Sequence, residues 1–209
     1  MINHKANNKM VGHIYDNIPL EYIGNNILEI GVNNRILQSK IASKIISSDY
    51  LGIDIEERES ILKTVQADII DYNISKKYDT ILILEVFEHI KLCYWKDIIN
   101  KLKSALVKGG YLIVSTPYNQ KLSQYLSLPY NENFGLPKDN MHTVFGINKK
   151  VIKYFFPNSK YKILWRVFWR QDNCSRIWAI IRFFNRLFFG SSPFRRTVMI
   201  FYTCSNNQR

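Results

Sequence analysis

Cysteine is scarce in this chain of 209 residues, which has three, at Cys93, Cys174 and Cys204. Their wide spacing matches neither a disulfide framework nor a set of metal ligands, so we predict a reduced, cytoplasmic setting and no bound metal. Long uncharged apolar runs are also missing, which argues against a membrane-spanning helix. Residues 1–9 are polar and lack the apolar run of a signal peptide.

Acidic residues almost disappear after residue 147. Residues 148–209 hold 13 Lys and Arg but a single acid, Asp172, whereas residues 1–147 hold 16 basic and 16 acidic residues. The formal net charge of +12 therefore comes entirely from the last third of the chain. Such asymmetry bears on the partners of a protein more than on its fold.

Neither an internal repeat nor a linker divides the chain, and 46% of its residues are hydrophobic, so we predict one domain over residues 1–209. Five apolar segments have the character of strands, and helical patterns separate them. The predicted strands are 27–30, 50–55, 64–67, 79–84 and 111–115, and the predicted helices are 36–47, 57–64 and 94–106. This alternation predicts an α/β fold with a doubly wound, mostly parallel sheet.

The C-terminal part completes the predicted sheet. Residues 118–147 are polar and are predicted as a loop region, and a helix follows at 147–156. Residues 161–168 and 198–203 are predicted as an antiparallel strand pair at the sheet edge. The basic, aromatic residues between them, 169–195, are predicted as a C-terminal helical insertion.

A glycine or a carboxylate follows each of four predicted strands. Gly31 follows the first, where a backbone must pass close to a ligand, and Asp54 ends the second, where a carboxylate can accept hydrogen bonds from ribose hydroxyls. Asp68 follows the third strand and could accept from an exocyclic amine, with Ile55 and Ile69 as apolar walls. Glu85 ends the fourth strand beside the same predicted pocket.

Residues 25–120 resemble the class I S-adenosylmethionine-dependent methyltransferases, small-molecule branch, which have a Rossmann-like fold. Residues 29–31 (Glu-Ile-Gly) resemble the first motif, 52–54 (Gly-Ile-Asp) the ribose-binding position and 67–68 (Ala-Asp) the adenine position. Residues 79–90 resemble the fourth motif and 106–117 the fifth strand with its preceding turn. The Gly-Gly turn and the Thr-Pro ending of 106–117 favour this family over nicotinamide dehydrogenases.

The resemblance implies an enzyme that uses S-adenosylmethionine. Asp54 would hold the ribose and Asp68 the adenine, while Glu29 and Gly31 would shape the methionine end and Glu85 would line the floor of the pocket. One departure is that Asn33 and Arg35 stand where the family usually has glycine. Asn tolerates positive φ, so the turn is expected to survive, whereas Arg35 adds bulk and charge near the sulfonium.

Two histidines are candidate general bases for a hydroxyl acceptor. His142 lies in the predicted loop after the fifth strand, where acceptors would enter, and His89 follows the fourth strand. Each also has a structural interpretation, His142 as a solvated loop residue and His89 as a packed or capping residue. The carboxylates have one too, since Asp54 and Asp68 could simply cap helices.

Residues 175–189 combine arginines with Trp and Phe in a pattern too apolar for an ordinary surface helix. Basic residues beside aromatic ones suit the headgroup–acyl boundary of a membrane, so we predict an acceptor lid that touches a membrane surface or a lipid-linked anionic substrate. A lid packed over the acceptor pocket, or a dimer contact, explains the pattern equally well. Nucleic acid is the least favoured partner, because the aromatics stand in apolar runs.

The predicted function is methyl transfer from S-adenosylmethionine to a hydroxyl of a small, glycan or lipid-linked acceptor, in the cytoplasm or peripherally at the membrane. Asn33 and Arg35 keep open a catalytically silent binding or scaffold subunit of the same fold. A nicotinamide-dependent oxidoreductase is the third interpretation, because it would share the first two motifs.

Overall fold

The computed structural model describes residues 14–57, 60–118, 147, 149–167 and 194–203. Within these ranges the chain builds a seven-stranded sheet with helices on both faces. The strands are β1 (Asn26–Ile30), β2 (Asp49–Asp54), β3 (Thr64–Gln66), β4 (Tyr78–Leu84), β5 (Leu106–Tyr118), β6 (Lys160–Val167) and β7 (Phe194–Thr203). The α-helices are α1 (Ala42–Ile46), α2 (Leu92–Ala105) and α3 (Lys149–Phe155).

The strand order is β3-β2-β1-β4-β5-β7-β6. Strands β1 to β5 run parallel to one another, β7 runs antiparallel to β5, and β6 runs antiparallel to β7. The predicted α/β fold, with a mostly parallel sheet and an antiparallel pair at one edge, is confirmed. The chain moves outward from β1 to β3 and then returns to β4 on the other side of β1, which makes a switch point at the carboxyl ends of β1 and β4.

Alternating side chains of the central strands enter two separate cores. On β4, Ile81 and Ile83 face a core that includes Trp95, whereas Leu82 and Leu84 face the other core. Helices α2 and α3 cover the first face, and residues 14–18 together with α1 cover the second. A strand buried on both faces has to be apolar throughout, which explains the continuous run of β4.

The predicted helix over 36–47 is broken in two. A 3-10 helix, Asn34–Gln38, comes first, and α1 follows after a turn. The hydroxyl of Ser39 donates to the carbonyl of Ile36 at 2.6 Å, and the Lys40 N–H donates to Asp16 at 3.0 Å. Both bonds compete with the helical ladder, which explains the break.

Two other helix predictions also need correction. Residues 60–63 of the predicted helix 57–64 are not helical, because the Lys63 carbonyl accepts from Gly52 at 2.8 Å and the chain enters β3. The helix predicted at 94–106 is α2, which begins earlier, at Leu92, and stops at Ala105. The Gly-Gly turn expected before the fifth strand instead lies inside β5, where Gly109 has a φ of 79°. Within the ranges given above, no helix has the length and apolar character needed to cross a bilayer.

Candidate functional site

The carboxyl ends of β1, β2 and β4 meet at one edge of the sheet. Ile30, the last residue of β1, pairs with Ile53 of β2 and with Ile83 of β4. The residues that follow these three positions are therefore brought together, and the Gly31 N–H donates to the Ile53 carbonyl at 2.8 Å. Gly31 and Asp54 were predicted to share this edge, and the strand register explains why they do.

Gly31 has a backbone conformation that side chains rarely adopt. Its φ is 78°, and a Cβ added to it would lie 2.3 Å from Cγ2 of Val86, the second residue after β4. Only glycine avoids both the strain and the clash. The chain consequently turns close to the end of β4, and β1 is followed by a residue that has no side chain.

Asp54 is buried, with 6% of its surface exposed, at the end of β2. Its Oδ1 accepts the N–H of Glu56 at 2.9 Å, which fixes the orientation of the carboxylate. The next residue, Ile55, is 67% exposed although it is a large apolar side chain. A fixed carboxylate beside an exposed apolar surface can accept hydrogen bonds from a sugar and cover one face of a base.

Asp68 is joined to the same edge through β3. The Ala67 N–H donates to the Asp54 carbonyl at 2.8 Å, and the Asp68 Oδ1 accepts the Ile70 N–H at 2.9 Å. Ile69 is 5% exposed and packs in the core on the α2 face. Of the two residues predicted as apolar walls, Ile55 therefore presents its side chain to solvent, whereas the side chain of Ile69 is buried in the core.

Glu85 has a φ of 56°, an unusual value for a residue other than glycine. Its N–H donates to the Ser115 carbonyl at 2.9 Å, and the Ser115 hydroxyl donates to its Oε1 at 3.0 Å. Holding a non-glycine residue in this region costs on the order of 1–3 kcal/mol and often marks a functional site. The strained backbone directs the Glu85 carboxylate toward the end of β5.

Glu88 adds a second carboxylate to this region, and the sequence interpretation did not single it out as a site residue. It is 2% exposed, and the Thr116 hydroxyl donates to its Oε2 at 3.3 Å. The next residue, His89, ends a short 3-10 helix and has an exposed side chain. His142, the other predicted base, lies outside the described residues.

Glu29, the last residue but one of β1, is completely buried on the face covered by residues 14–18. The hydroxyls of Tyr15 and Tyr50 donate to its two carboxylate oxygens. Burial raises the pKa of Glu29 from 4.5 to about 7; the two tyrosine hydrogen bonds oppose this rise and the charge of Asp54 adds to it. Burial also raises the pKa of both tyrosine hydroxyls, so they stay protonated. Glu29 therefore joins the N-terminal segment to β1 and β2.

The two tyrosines could not be identified from the sequence. Tyr15 and Tyr50 stand 14 and 21 residues from Glu29, and no motif relates them. The available signal was the acid itself, since a carboxylate inside an apolar strand requires buried hydrogen-bond donors.

The loop after Gly31 differs from the expected one. Outside glycine, positive φ among the described residues occurs at Glu85 and Asn158, so Asn33 and Asn34 do not adopt it. Instead the Asn33 carbonyl accepts from Ile36 at 3.0 Å, at the start of the 3-10 helix. The loop consequently turns without the family's glycines. The side chain of Arg35 lies outside the described residues.

Residues 5–159, about three quarters of the chain, match the family described as "Methyltransferase domain". The chain belongs to the methyltransferase-domain family. This confirms the resemblance seen in residues 25–120: the protein is a class I methyltransferase, and S-adenosylmethionine is its cofactor. No curated protein matches the chain.

Solved methyltransferase structures share the fold at low sequence identity. A SAM-dependent methyltransferase from Archaeoglobus fulgidus is 17% identical, with a TM-score of 0.62 and 93% of each chain covered. The N-methyltransferase NodS from Bradyrhizobium japonicum WM9, in complex with S-adenosyl-l-homocysteine, is 13% identical, with a TM-score of 0.55 and coverage of 93% of this chain and 86% of that one. Likenesses of this degree show the fold, and they confirm the predicted Rossmann-like sheet.

The residues at this edge of the methyltransferase sheet fit an adenosyl group. Asp54 and Asp68 offer carboxylates for hydroxyl and amine donors, and Ile55 offers an exposed apolar face. Gly31 leaves the end of β1 without a side chain, as close backbone approach to a ligand requires. These features stand on three adjacent strands, so one ligand can reach all of them.

Proposed function

We propose that this methyltransferase places a methyl group on a hydroxyl of a small, glycan or lipid-linked acceptor. The observation that supports the cofactor site of this enzyme is the hydrogen bond from Gly31 to Ile53, because it brings the end of β1, which has no side chain, next to Asp54. S-adenosylmethionine supplies the methyl group on an activated sulfonium. The protein then has to align the acceptor with it and keep both in place.

Each residue at this edge has a proposed task. Asp54 accepts hydrogen bonds from the ribose hydroxyls, Asp68 accepts one from the adenine amine, and Ile55 packs on the base. Glu29 shapes the methionine end indirectly, because it holds residues 14–18 against β1 and β2. The carboxylate of Glu85 lines the floor next to the acceptor.

The hydroxyl acceptor needs a residue that takes its proton. His89 is one proposed base, because its exposed imidazole follows β4 at the same edge of the sheet. His142, in the loop after β5, is the other proposed base. Replacing His89 by Gln would lower methyl transfer to a hydroxyl while leaving cofactor affinity unchanged.

An amine acceptor is the second candidate, and the carboxylates of Glu85 and Glu88 favour it. Two acids after β4 suit the binding of a cationic ammonium group, and a carboxylate can take the proton that this group has to lose before it is methylated. Both N- and O-methyltransferases are among the similar structures. Mass spectrometry of products from matched hydroxyl and amine acceptors would separate the two.

A lipid-linked acceptor, met in the cytoplasm or at the membrane surface, agrees with the charge of the last third of the chain. Lys149, Lys150 and Lys153 of α3 are exposed, and they belong to the region that carries the whole net charge. Residues 175–189, the proposed lid and membrane contact, lie outside the described part of the chain. Co-sedimentation at low salt tests the idea, and equal recovery with neutral and anionic vesicles would count against it.

Labelled cofactor provides the direct test of the proposed site. We expect the protein to retain S-adenosylmethionine and the Asp54→Ala variant to lose at least about tenfold in affinity, since hydrogen bonds to a charged group are removed. Asp79→Ala is the matched control, because this aspartate binds the N–H groups of Asn25 and Asn26 at the opposite end of the sheet. A protein that retained no label would be the silent scaffold instead, and an unchanged affinity in Asp54→Ala would remove Asp54 from the site.

A further inference from the structure

The ammonium group of Lys101, on α2, binds three backbone carbonyls of one turn. Its Nζ donates to the carbonyl oxygens of Ile69 at 2.9 Å, Ile70 at 2.8 Å and Tyr72 at 3.0 Å. An ammonium has three N–H donors and no acceptor, so these bonds use its full capacity. A partly buried lysine whose every donor points into one turn fixes the position of that turn.

The turn held by Lys101 begins at Asp68. The Asp71 and Tyr72 N–H groups both donate to the Asp68 carbonyl, at 3.1 and 2.9 Å, and the Asp68 side chain accepts the Ile70 N–H at 2.9 Å. The backbone of Asp68 is therefore fixed by the N–H groups of Asp71 and Tyr72, and its side chain by the N–H of Ile70, all within one turn. The carbonyls at the other end of such a turn have no partners within it, and a cation is their natural cap.

We infer that Lys101 is a positioning residue for adenine recognition: by capping the 68–72 turn it holds the Asp68 carboxylate where it meets the exocyclic amine. This inference rests on the proposed role of Asp68. The short strand β3 alone would not hold the turn, since it has three residues and, within the described part of the chain, lies at the edge of the sheet next to β2. Lys101 instead ties the turn to α2, an element of 14 residues packed on the sheet.

The test compares two cofactor products that differ at the adenine amine. Calorimetry would give the affinities of S-adenosylhomocysteine and of S-inosylhomocysteine, which has a carbonyl oxygen in place of the amine. We expect the unaltered protein to prefer S-adenosylhomocysteine by about tenfold or more, the loss that follows when a buried polar partner is left unpaired. In Lys101→Met this preference should fall toward unity, because the Asp68 carboxylate is no longer held in place.

Lys103→Met is the matched control on the same helix. Its Nζ donates to the Phe155 carbonyl at 2.7 Å and lies over the rings of Phe156 and Tyr202, on the α3 side of the helix. It should keep the preference of the unaltered protein, whereas faster hydrogen exchange at the Tyr72 N–H should appear in Lys101→Met alone.

A merely structural lysine would lower both affinities equally and leave their ratio unchanged, and that result would overturn the inference. Should Lys101→Met not fold, Lys101→Gln applies the same criterion, because its shorter amide cannot reach all three carbonyls. Failure of the unaltered protein to bind S-adenosylhomocysteine would overturn the proposed site itself and the inference with it. That result is distinct from a Lys101 variant that binds both compounds with an unchanged ratio of affinities.

Discussion

Replacement of Glu29 by Gln should change how the stability of the protein depends on pH. The Glu29 carboxyl is fully buried, and the hydroxyls of Tyr15 and Tyr50 donate to it. Its pKa is about 7 in the folded chain, against an ordinary value of 4.5. Gln has nearly the same shape and remains neutral, so it preserves the packing and removes the titration.

The size and sign of the effect follow from this pKa. Because folding raises the pKa, the folded chain binds the proton more tightly than the unfolded chain does. The stabilisation from protonated Glu29 is complete below pH 4.5 and is lost as the pH rises through about 7. At about 1.4 kcal/mol for each pKa unit, the rise from 4.5 to about 7 corresponds to about 3 kcal/mol.

Urea denaturation of both proteins across the pH range measures the effect. The free energy of unfolding of Glu29→Gln, relative to the unaltered protein, should increase by about 3 kcal/mol between about pH 5 and about pH 8. Titrations that the two proteins share cancel in this difference. A variant at an exposed acid, Glu21→Gln, is the control and should give no comparable trend. A flat difference for Glu29→Gln, or one that falls with pH, would refute the reasoning.

Two further substitutions test the backbone at the sheet edge. Gly31→Ala should destabilise the protein by about 2–4 kcal/mol in chemical denaturation, because a Cβ at positive φ meets Cγ2 of Val86. Adding Val86→Ala should recover part of that loss of stability. A Gly31→Ala variant as stable as the unaltered protein would contradict the geometry. Glu85→Gly relieves a positive φ but loses the bond from Ser115, so stability should change by no more than about 1 kcal/mol while methyl transfer falls about tenfold or more. Unchanged turnover in Glu85→Gly would show that its carboxylate has no part at the acceptor.

Strands β1 and β4 could be predicted from the sequence because each is a short, mostly apolar run. The strand predicted at 111–115 is the middle of β5, which is longer at both ends. The helical spacing of apolar residues alone was enough to predict α2. The segment 36–47 has the same period, yet Ser39 and Lys40 form hydrogen bonds that end the helical ladder. Residues 60–63 do not form the predicted helix, because the Lys63 carbonyl accepts from Gly52 of β2 as the chain enters β3, and a helix this short is unstable by itself.

The candidate site was predictable in part. Gly31, Asp54, Asp68 and Glu85 end successive strands, and a parallel sheet brings such ends together. The partners of Glu29 were not predictable, since they depend on how residues 14–18 pack against the sheet. The positive φ of Glu85 gave no sequence signal either, because glutamate is not a residue that favours it.

A crystal structure of the protein with S-adenosylhomocysteine would test most directly whether the strand ends form one adenosyl site. We expect the ribose hydroxyls at about 2.6–3.2 Å from the Asp54 carboxylate, the adenine amine at hydrogen-bond distance from Asp68, and Ile55 against the face of the base. A ligand bound elsewhere, or a carboxylate of Asp54 that meets the Glu56 N–H and leaves the ribose without a partner, would contradict the proposed site.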